Sequence, residues 1–307
     1  MKIVKEIFPG RLQERMEKAL QEVEGVQEIR IRVHAPILLR TADKEYFVTE
    51  NGHAVEGEKV SSFLQERDLE DIVYHMCRSS LYAYEEEIKR GYLTIEGGYR
   101  IGVAGQAVLD NNGVLKTIKN ISFLNIRMAH EIVGASKKVL GKLYHNGKIK
   151  NTLVISPPGY GKTTFLRDLV REVSNGNPYG SAQHCCVIDE RSEIAGSFRG
   201  VPQLDVGFRT DVLDGCPKAV GMMMGMRSMG PQIIAVDELG TREDVQALFS
   251  VIRSGCGLLA TIHGEGITDL RTKGFLGEVI MEKVFERYVV IDKRHGLTVY
   301  DGDFKRC

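Results

Sequence analysis

Apolar residues in the first part of the chain follow two different spacings. They recur at helical spacing over residues 11–24 and 68–89, with a break expected near residues 79–80, whereas polar and apolar side chains alternate over residues 28–33. Helical spacing is typical of an amphipathic helix, and alternation is typical of a strand with one exposed face. The glycine pair at 97–98 and the Asn-Asn-Gly sequence at 111–113 favour tight turns between further strands. The pattern predicts a small domain of mixed helices and strands.

After residue 150, short continuous apolar runs alternate with stretches of helical spacing. A continuous run is typical of a parallel strand that helices cover on both faces, so the alternation predicts an α/β domain with a mostly parallel sheet. The methionine-rich stretch 222–229 predicts a buried helix, because methionine fills irregular gaps in a core. The apolar runs are residues 152–155, 185–188, 233–236, 258–262 and 288–291.

These patterns divide the 307 residues into two domains, in line with a usual domain size of about 150 residues. Residues 129–150 are rich in charge and glycine and connect the two patterned regions. We therefore expect an N-terminal α+β domain over residues 1–135, a linker over residues 136–150, and a C-terminal α/β domain over residues 151–307.

The charged residues balance overall but not locally. Lys and Arg number 41, as do Asp and Glu, so net charge does not argue for bulk binding to nucleic acid or acidic membranes. Residues 116–150, however, hold eight Lys or Arg and a single acid, Glu131. This strip is either a solvated linker face or a surface that faces phosphate or membrane.

Cysteine usage and hydropathy bear on the compartment. Six cysteines occur without zinc-site spacing, which favours core packing in a reducing compartment over a disulfide framework. The sequence shows neither an apolar leader nor an apolar window long enough for a membrane span. We therefore expect a cytoplasmic protein that partners or surface contacts hold at a membrane, if it works there.

A loop rich in glycine and proline joins the first buried run to a helix, which is the context that a phosphate-binding loop requires. Two glycines allow the backbone N–H groups to turn toward phosphate oxygens, and the helix N-terminus adds partial positive charge. The lysine can reach the β and γ phosphates of ATP, and the first threonine hydroxyl can bind Mg²⁺. The usual motif opens with glycine, where this chain has serine. The loop residues are Ser156, Pro157, Pro158, Gly159, Tyr160, Gly161, Lys162, Thr163 and Thr164.

Two acidic residues follow the apolar run at 233–236. A buried strand would deliver them beside the phosphate loop, with Asp237 holding Mg²⁺ and Glu238 orienting and activating the attacking water. A similar string ends in Asp189 and Glu190 and competes for the Mg²⁺ role. We favour the later pair, because its spacing from the phosphate loop leaves room for an intervening strand. Asp189 and Glu190 would then lie on that adjacent strand and could contact the same water or metal. Alternatively, this earlier pair could form structural ion pairs.

The apolar run at 258–262 ends in His263. A polar side chain at the end of a central strand can sense the γ-phosphate or transmit its loss. A lone histidine is more often structural, but its place at the end of this strand favours a functional role.

Together these motifs resemble the RecA-like ATPase core of the type II and IV secretion and pilus-retraction motors. The acidic box, second acidic motif and histidine box of those motors correspond to residues 187–190, 234–238 and 261–263, and residues 28–40 resemble the opening strand pair of their N-terminal domain. The chain also shows a narrower resemblance to the stage III sporulation AA family, carried by the runs 124–128, 189–196, 209–214 and 227–231.

The resemblance implies an ATPase that forms a hexameric ring in the mother-cell cytoplasm. It also implies peripheral association with the membrane through the proteins of a channel between mother cell and forespore. In the secretion motors the N-terminal domain presents arginines to the nucleotide, and the candidates here are Arg100 and Arg127. Each could equally be a solvated or ion-paired residue of a strand.

Two other functions remain open from the sequence. One is a RecA-like ATPase that acts on single-stranded nucleic acid, with the basic strip lining a channel. Neutral overall charge and few aromatic residues in that strip argue against it. The other is an interaction protein that binds ATP as a switch without useful hydrolysis, against which the presence of Glu238 argues.

Overall fold

The computed structural model describes residues 2–57, 60, 62–78, 84–89, 91–128 and 132–307. The chain divides into two compact units, Met1–His130 and Glu131–Cys307, and each contains its own large sheet. Within the described ranges, no helix is both long enough and apolar enough to cross a membrane.

The first unit holds an antiparallel sheet in the strand order β4-β3-β2-β1-β7-β6-β5. Side chains alternate across β1, so Ile29 and Ile31 are fully buried while Arg30 stays half-buried on the other face. The predicted helix over 68–89 is two helices, and its predicted break at 79–80 lies outside the described residues. The elements are α1 (Lys2–Ile7), α2 (Gly10–Glu22), β1 (Glu28–Arg32), β2 (Leu38–Arg40), β3 (Glu45–Val48), β4 (Ala54–Val55), α3 (Glu66–Met76), α4 (Glu85–Lys89), β5 (Tyr92–Ile95), β6 (Tyr99–Leu109) and β7 (Leu115–Arg127).

The second unit contains the predicted, mostly parallel sheet, in the order β12-β11-β13-β14-β10-β15-β16. Its strands are parallel except for β16, which pairs antiparallel with β15. The predicted apolar runs all fall on strands. The elements are β8 (Tyr144–His145), β9 (Lys148–Ile149), β10 (Thr152–Ser156), α5 (Lys162–Asn175), β11 (Cys185–Asp189), β12 (Thr210–Asp214), α6 (Lys218–Ser228), β13 (Ile233–Val236), α7 (Arg242–Arg253), β14 (Gly257–His263), α8 (Ile267–Thr272), α9 (Gly277–Met281), β15 (Arg287–Ile291) and β16 (Leu297–Asp301).

Both faces of this sheet are buried, which explains the continuous apolar runs. Val154 of β10 packs in one cluster with Phe165 of α5, whereas Leu153 and Ile155 pack in a second cluster with Leu248 of α7. Successive side chains of one strand therefore enter opposite layers of the core. This arrangement fixes the carboxyl edge of the sheet, where the loops after the central strands meet.

Residues 136–150, predicted as a linker, are part of the second unit. They form a 3₁₀ turn over Leu140–Leu143 and the hairpin β8–β9, and their apolar residues lie in the same cluster as α5. The buried carboxylate of Asp168 in α5 holds the start of this segment, accepting hydrogen bonds from the N–H groups of Gly134 and Ser136 at 2.7 and 2.8 Å. The sequence predicted a linker because the few apolar residues of this segment are irregularly spaced among charged residues and glycines.

The methionine content of α6 predicted a buried helix, but the helix is only partly buried. Met222 is completely buried, but Met224 is 49% exposed. Gly221 and Gly225 allow the helix to approach β11 closely, since an added Cβ would lie 2.3 Å from Cγ2 of Ile188 at the first position and 2.8 Å from Sγ of Cys186 at the second. The helix therefore lies close against the sheet on one side and faces solvent on the other.

Candidate functional site

The phosphate loop connects β10 to α5. Gly159 and Gly161 have left-handed backbones, with φ of 83° and 89°, and an added Cβ at either position would meet nothing within 4 Å. Glycine is therefore required there by backbone conformation rather than by lack of space. Gly161 is also the N-cap residue of α5, so the loop ends at the partially positive N-terminus of a 14-residue helix.

Ser156 replaces the usual opening glycine without distorting the loop. It is the last residue of β10 and fully buried, and its hydroxyl donates a 3.0 Å hydrogen bond to the carbonyl of Pro157. Since this residue is extended, in a strand, no glycine conformation is needed there. The unusual residue is thus compatible with a strand that leads directly into the loop.

Neighbouring parallel strands bring most of the predicted site residues to one edge of the sheet. In the order β11-β13-β14-β10, β14 separates the phosphate-loop strand from the strand that precedes Asp237. The sequence spacing left room for an intervening strand and assigned that place to the strand of Asp189 and Glu190. That assignment was wrong, because β14 lies between and β11 lies on the other side of β13. The strand β14 carries His263, which pairs in register with Ser156. Loops at the carboxyl edge of such sheets are where α/β proteins bind their ligands.

Glu238 lies at the centre of a cluster of basic groups. Its Oε1 atom is 2.8 Å from Nζ of Lys162 and 2.9 Å from Nε2 of His263, and its Oε2 atom accepts a 3.0 Å hydrogen bond from Arg191. Burial tends to raise the pKa of Glu238, but Lys162, His263 and Arg191 outweigh it and hold the pKa below its ordinary value. The carboxyl group is therefore ionised at neutral pH.

Asp237 is positioned by two hydroxyl groups. Thr163, in the first turn of α5, donates a 2.6 Å hydrogen bond to its Oδ2 atom, and the fully buried Thr261 donates to its Oδ1 atom. The Thr163 hydroxyl and the Asp237 carboxylate are hard oxygen ligands in direct contact beside the phosphate loop. Mg²⁺ commonly takes one or two protein oxygens and completes its shell with water and phosphate, so these residues fit that ion.

The competing acids have different partners. Asp189 is almost fully buried, and its carboxylate accepts hydrogen bonds from the backbone N–H groups of Glu193, Ile194 and Ala195 at 2.8–3.0 Å. Burial raises its pKa to about 6 against the opposing effect of these donors. Asp189 therefore organises the loop that follows β11. Glu190 forms an ion pair with Lys218 and lines the same small cleft as Asp237 and Glu238.

Two arginines near the site were not among the sequence candidates. Arg191 contacts Glu238, as described above, and Arg167 of α5 donates to the backbone carbonyls of Glu193 and Ile194. The signal for Arg191 was its position directly after the acidic string. Arg167 had no signal, because it lies on a helix face where the apolar spacing gives no information about polar neighbours.

The candidate arginines of the first unit are cross-strand neighbours. Arg100 of β6 pairs in register with Arg127 of β7, and Arg127 pairs with Glu28 of β1. Directly opposed residues of antiparallel strands lie on the same face, so both arginines project from one side of the first unit's sheet. The Arg100 guanidinium lies 3.9 Å from the ring centroid of Tyr92, which fixes its direction.

The fold has solved counterparts among secretion and pilus ATPases. The structure of the pilus retraction motor PilT with bound ADP matches 94% of this chain and 80% of its own, with a TM-score of 0.61 and 13% identity. The ATPase DotB of Yersinia pseudotuberculosis matches 97% of this chain and 81% of its own, with a TM-score of 0.62 and 12% identity. Identity this low establishes the fold alone. The predicted RecA-like α/β fold is confirmed.

Sequence comparison narrows the class further. The family model for sporulation stage III, protein AA matches residues 1–306. Stage III sporulation protein AA of Bacillus subtilis (strain 168) is 38% identical over 312 residues, which cover 99% of this chain and 96% of that protein. The chain belongs to the sporulation stage III protein AA family, which confirms the narrower resemblance seen in its sequence.

Proposed function

We propose that this protein is an ATPase whose nucleotide site lies at the carboxyl edge of the second unit's sheet. The observation that supports this most is the contact between Lys162 and Glu238, which are 2.8 Å apart. An ammonium group and a carboxylate lie together beside a loop with two left-handed glycines, which supports a cation for phosphate and a general base at this site. A structural ion pair alone would need neither that loop nor the adjacent pair of Thr163 and Asp237.

The phosphate loop, from Ser156 to Thr164, would bind the phosphates of ATP. Its glycines turn the backbone N–H groups inward, and the N-terminus of α5 adds partial positive charge. Lys162 leaves Glu238 and places its ammonium against the β and γ phosphates. Thr163 and Asp237 would hold Mg²⁺, which supplies charge neutralisation at the phosphate oxygens.

Hydrolysis depends on where Glu238 points once Lys162 has moved to the phosphates. The ionised carboxylate orients a water molecule and accepts its proton as the oxygen attacks the γ-phosphorus. A new P–O bond forms, the bond to the bridging oxygen breaks, and ADP leaves with that electron pair. His263, 2.9 Å from the same carboxylate, would respond to the loss of the γ-phosphate. Glu190 has an accessory role from the adjacent strand.

We further propose that the active species is a hexameric ring in which the first unit supplies an arginine to a neighbouring subunit's nucleotide. Arg100 and Arg127 are the candidates, and their cross-strand pairing would present both from one face. An arginine supplied between subunits stabilises the charge of the transition state and contributes as much as about 10³–10⁵ in rate.

Membership of the sporulation family supports a role in sporulation, with the ring in the mother-cell cytoplasm. We propose that it associates peripherally with membrane proteins of a channel between mother cell and forespore and energises that complex by ATP hydrolysis. The rival function is an ATPase acting on single-stranded nucleic acid, supported by the exposed lysines 137, 138, 142 and 148.

An ATPase assay with and without single-stranded DNA tests these proposals together. We expect Mg²⁺-dependent turnover by the wild type, no stimulation by the DNA, and a loss of about 10²–10⁴-fold in Glu238→Gln. Stimulation by DNA would favour the rival function. Absence of turnover at protein concentrations that permit assembly, despite ATP binding, would favour a nucleotide-binding switch.

A further inference from the structure

Arg191 contacts the site but has no role in the proposed mechanism. Its Nη1 atom donates a 3.0 Å hydrogen bond to Oε2 of Glu238, whereas Lys162 and His263 both lie against Oε1. The guanidinium is thus separated from the phosphate-binding ammonium by a single carboxylate. The Arg191 side chain is 59% exposed, so it is free to change partners.

The backbone that carries Arg191 is firmly held although the side chain is not. Asp189 accepts three hydrogen bonds from N–H groups at residues 193–195. Arg167 donates to carbonyl groups at residues 193 and 194 from within α5, the helix that begins at the phosphate loop. The loop that carries Arg191 is therefore anchored, two residues further along the chain, to the helix that begins at the phosphate loop.

Neighbouring charges leave Arg191 available for phosphate. The adjacent carboxylate, Glu190, is engaged by Lys218, and Glu238 is the acid that Arg191 contacts within the described part of the chain. A guanidinium matches phosphate oxygens with paired N–H donors and remains charged at any physiological pH. A terminal phosphate arriving beside Lys162 would present Arg191 with a second, more highly charged acceptor.

We propose that Arg191 exchanges Glu238 for the terminal phosphate of a nucleoside triphosphate bound in the same chain. The inference rests on the proposed ATPase function and adds a γ-phosphate contact to it. The exchange frees Oε2 of Glu238 to receive the proton of the attacking water. Arg191 stabilises the charge that develops on the γ-phosphate oxygens.

This contact is distinguishable from the arginines of the first unit. A contact within one chain acts without assembly, so it should set the preference for triphosphate over diphosphate even in dilute protein. It should also leave ADP affinity unchanged, because ADP lacks the group that Arg191 would touch.

The test compares Mg²⁺-ADP with Mg²⁺-AMP-PNP, a non-hydrolysable triphosphate, by calorimetry on wild type, Arg191→Ala and Arg191→Lys. Arg199→Ala is the matched control, because Arg199 is an exposed arginine in the same connection between β11 and β12. We expect Arg191→Ala to weaken AMP-PNP binding about 10–100-fold, as for a lost charge-assisted hydrogen bond, with ADP affinity unchanged. Arg191→Lys should recover part of the loss, and Arg199→Ala should match wild type.

Three outcomes decide against the inference. Equal losses for both nucleotides would assign Arg191 to the integrity of the site, and unchanged AMP-PNP affinity would show that it does not touch the terminal phosphate. Either result leaves the ATPase proposal intact. If the wild type binds neither nucleotide, the proposed function fails and this inference fails with it.

Discussion

Glu238 has a left-handed backbone, with φ of 55°, although it is not a glycine. Such conformations cost on the order of 1–3 kcal/mol and persist where the surroundings impose them. Here the Glu238 N–H donates a 2.9 Å hydrogen bond to the Thr261 hydroxyl, and the following N–H, of Leu239, donates to the Thr261 carbonyl. The strained turn directs the carboxylate toward Lys162, a direction that sequence spacing alone does not reveal.

The two glutamates of the acidic strings should differ in their effect on turnover. Glu238 contacts Lys162 directly, whereas Glu190 forms an ion pair with Lys218. We expect Glu190→Gln to lower the ATPase rate less than Glu238→Gln, with nucleotide binding retained in both. Steady-state kcat with calorimetry as the binding control measures this. The reverse ranking would exchange the roles of the two acidic strands.

At the residue scale, sequence motifs identify functional side chains by type and predict the strand or loop that carries each one. They do not show which groups each side chain contacts. The phosphate loop and the acids at 237 and 238 were predictable because strand ends determine where they lie. The use of Asp189 as an acceptor for three backbone N–H groups was not, since it depends on a loop that folds back after β11. Arg191 became a candidate only when its contact with Glu238 was visible.

At the scale of elements, helix α6 depends on two glycines for its distance from β11. Helix propensity alone favours alanine over glycine by about 1 kcal/mol. At Gly221, however, a Cβ would lie 2.3 Å from the branched side chain of Ile188, which is fully buried. The close approach places α6, and with it Lys218, against the strand that ends at Asp189.

Gly221→Ala should therefore destabilise the protein by about 1–3 kcal/mol through overpacking, despite its better helix propensity. Urea denaturation followed by circular dichroism measures the change. The control is Gly277→Ala in α9, where the backbone is helical and a Cβ would meet nothing within 4 Å, so stability should stay the same or rise slightly. Equal behaviour of the two variants would contradict the packing argument.

The sequence patterns failed to predict some elements for one physical reason, which is incomplete burial. The strands β12 and β16 are the edges of their sheet and keep half-exposed residues, so neither shows the continuous apolar run of a central strand. The segment 136–150 buries a few side chains within a 3₁₀ turn and a short hairpin, too short for periodicity. The central strands were predictable because burial on both faces leaves an unambiguous pattern.

At the scale of the whole molecule, the proposed role of the two arginines of the first unit depends on assembly of the ring. If Arg100 or Arg127 completes a neighbour's site, specific ATPase activity should rise with protein concentration. Arg100→Ala or Arg127→Ala should bind ATP normally and lose that rise, by as much as about 10³–10⁵ in rate. Activity measured alongside the mass in solution, with and without AMP-PNP, shows whether the two change together.

A mixing experiment sharpens this prediction. Lys162→Ala and an arginine variant are each inactive alone, but a mixed ring can place an intact arginine beside an intact phosphate loop, so activity should reappear. Because Arg100 and Arg127 are cross-strand neighbours, the double variant distinguishes shared from single roles. Flat activity per subunit across the assembly transition, or full activity of both arginine variants, would mean that the site is complete within one chain.

The central claim is that the loop at 156–164 binds the phosphates of ATP through Lys162. Calorimetric titration of Mg²⁺-ATP into Glu238→Gln, with and without Lys162→Ala, measures it directly, because hydrolysis is suppressed in both proteins. Lys148→Ala in the same background is the charge-matched control, since Lys148 is exposed in the hairpin β8–β9. We expect tight binding with Lys162 present, unchanged binding in the control, and a loss of at least about 10–100-fold with Lys162→Ala. Equal affinity with and without Lys162, in variants with native circular dichroism, would contradict the account.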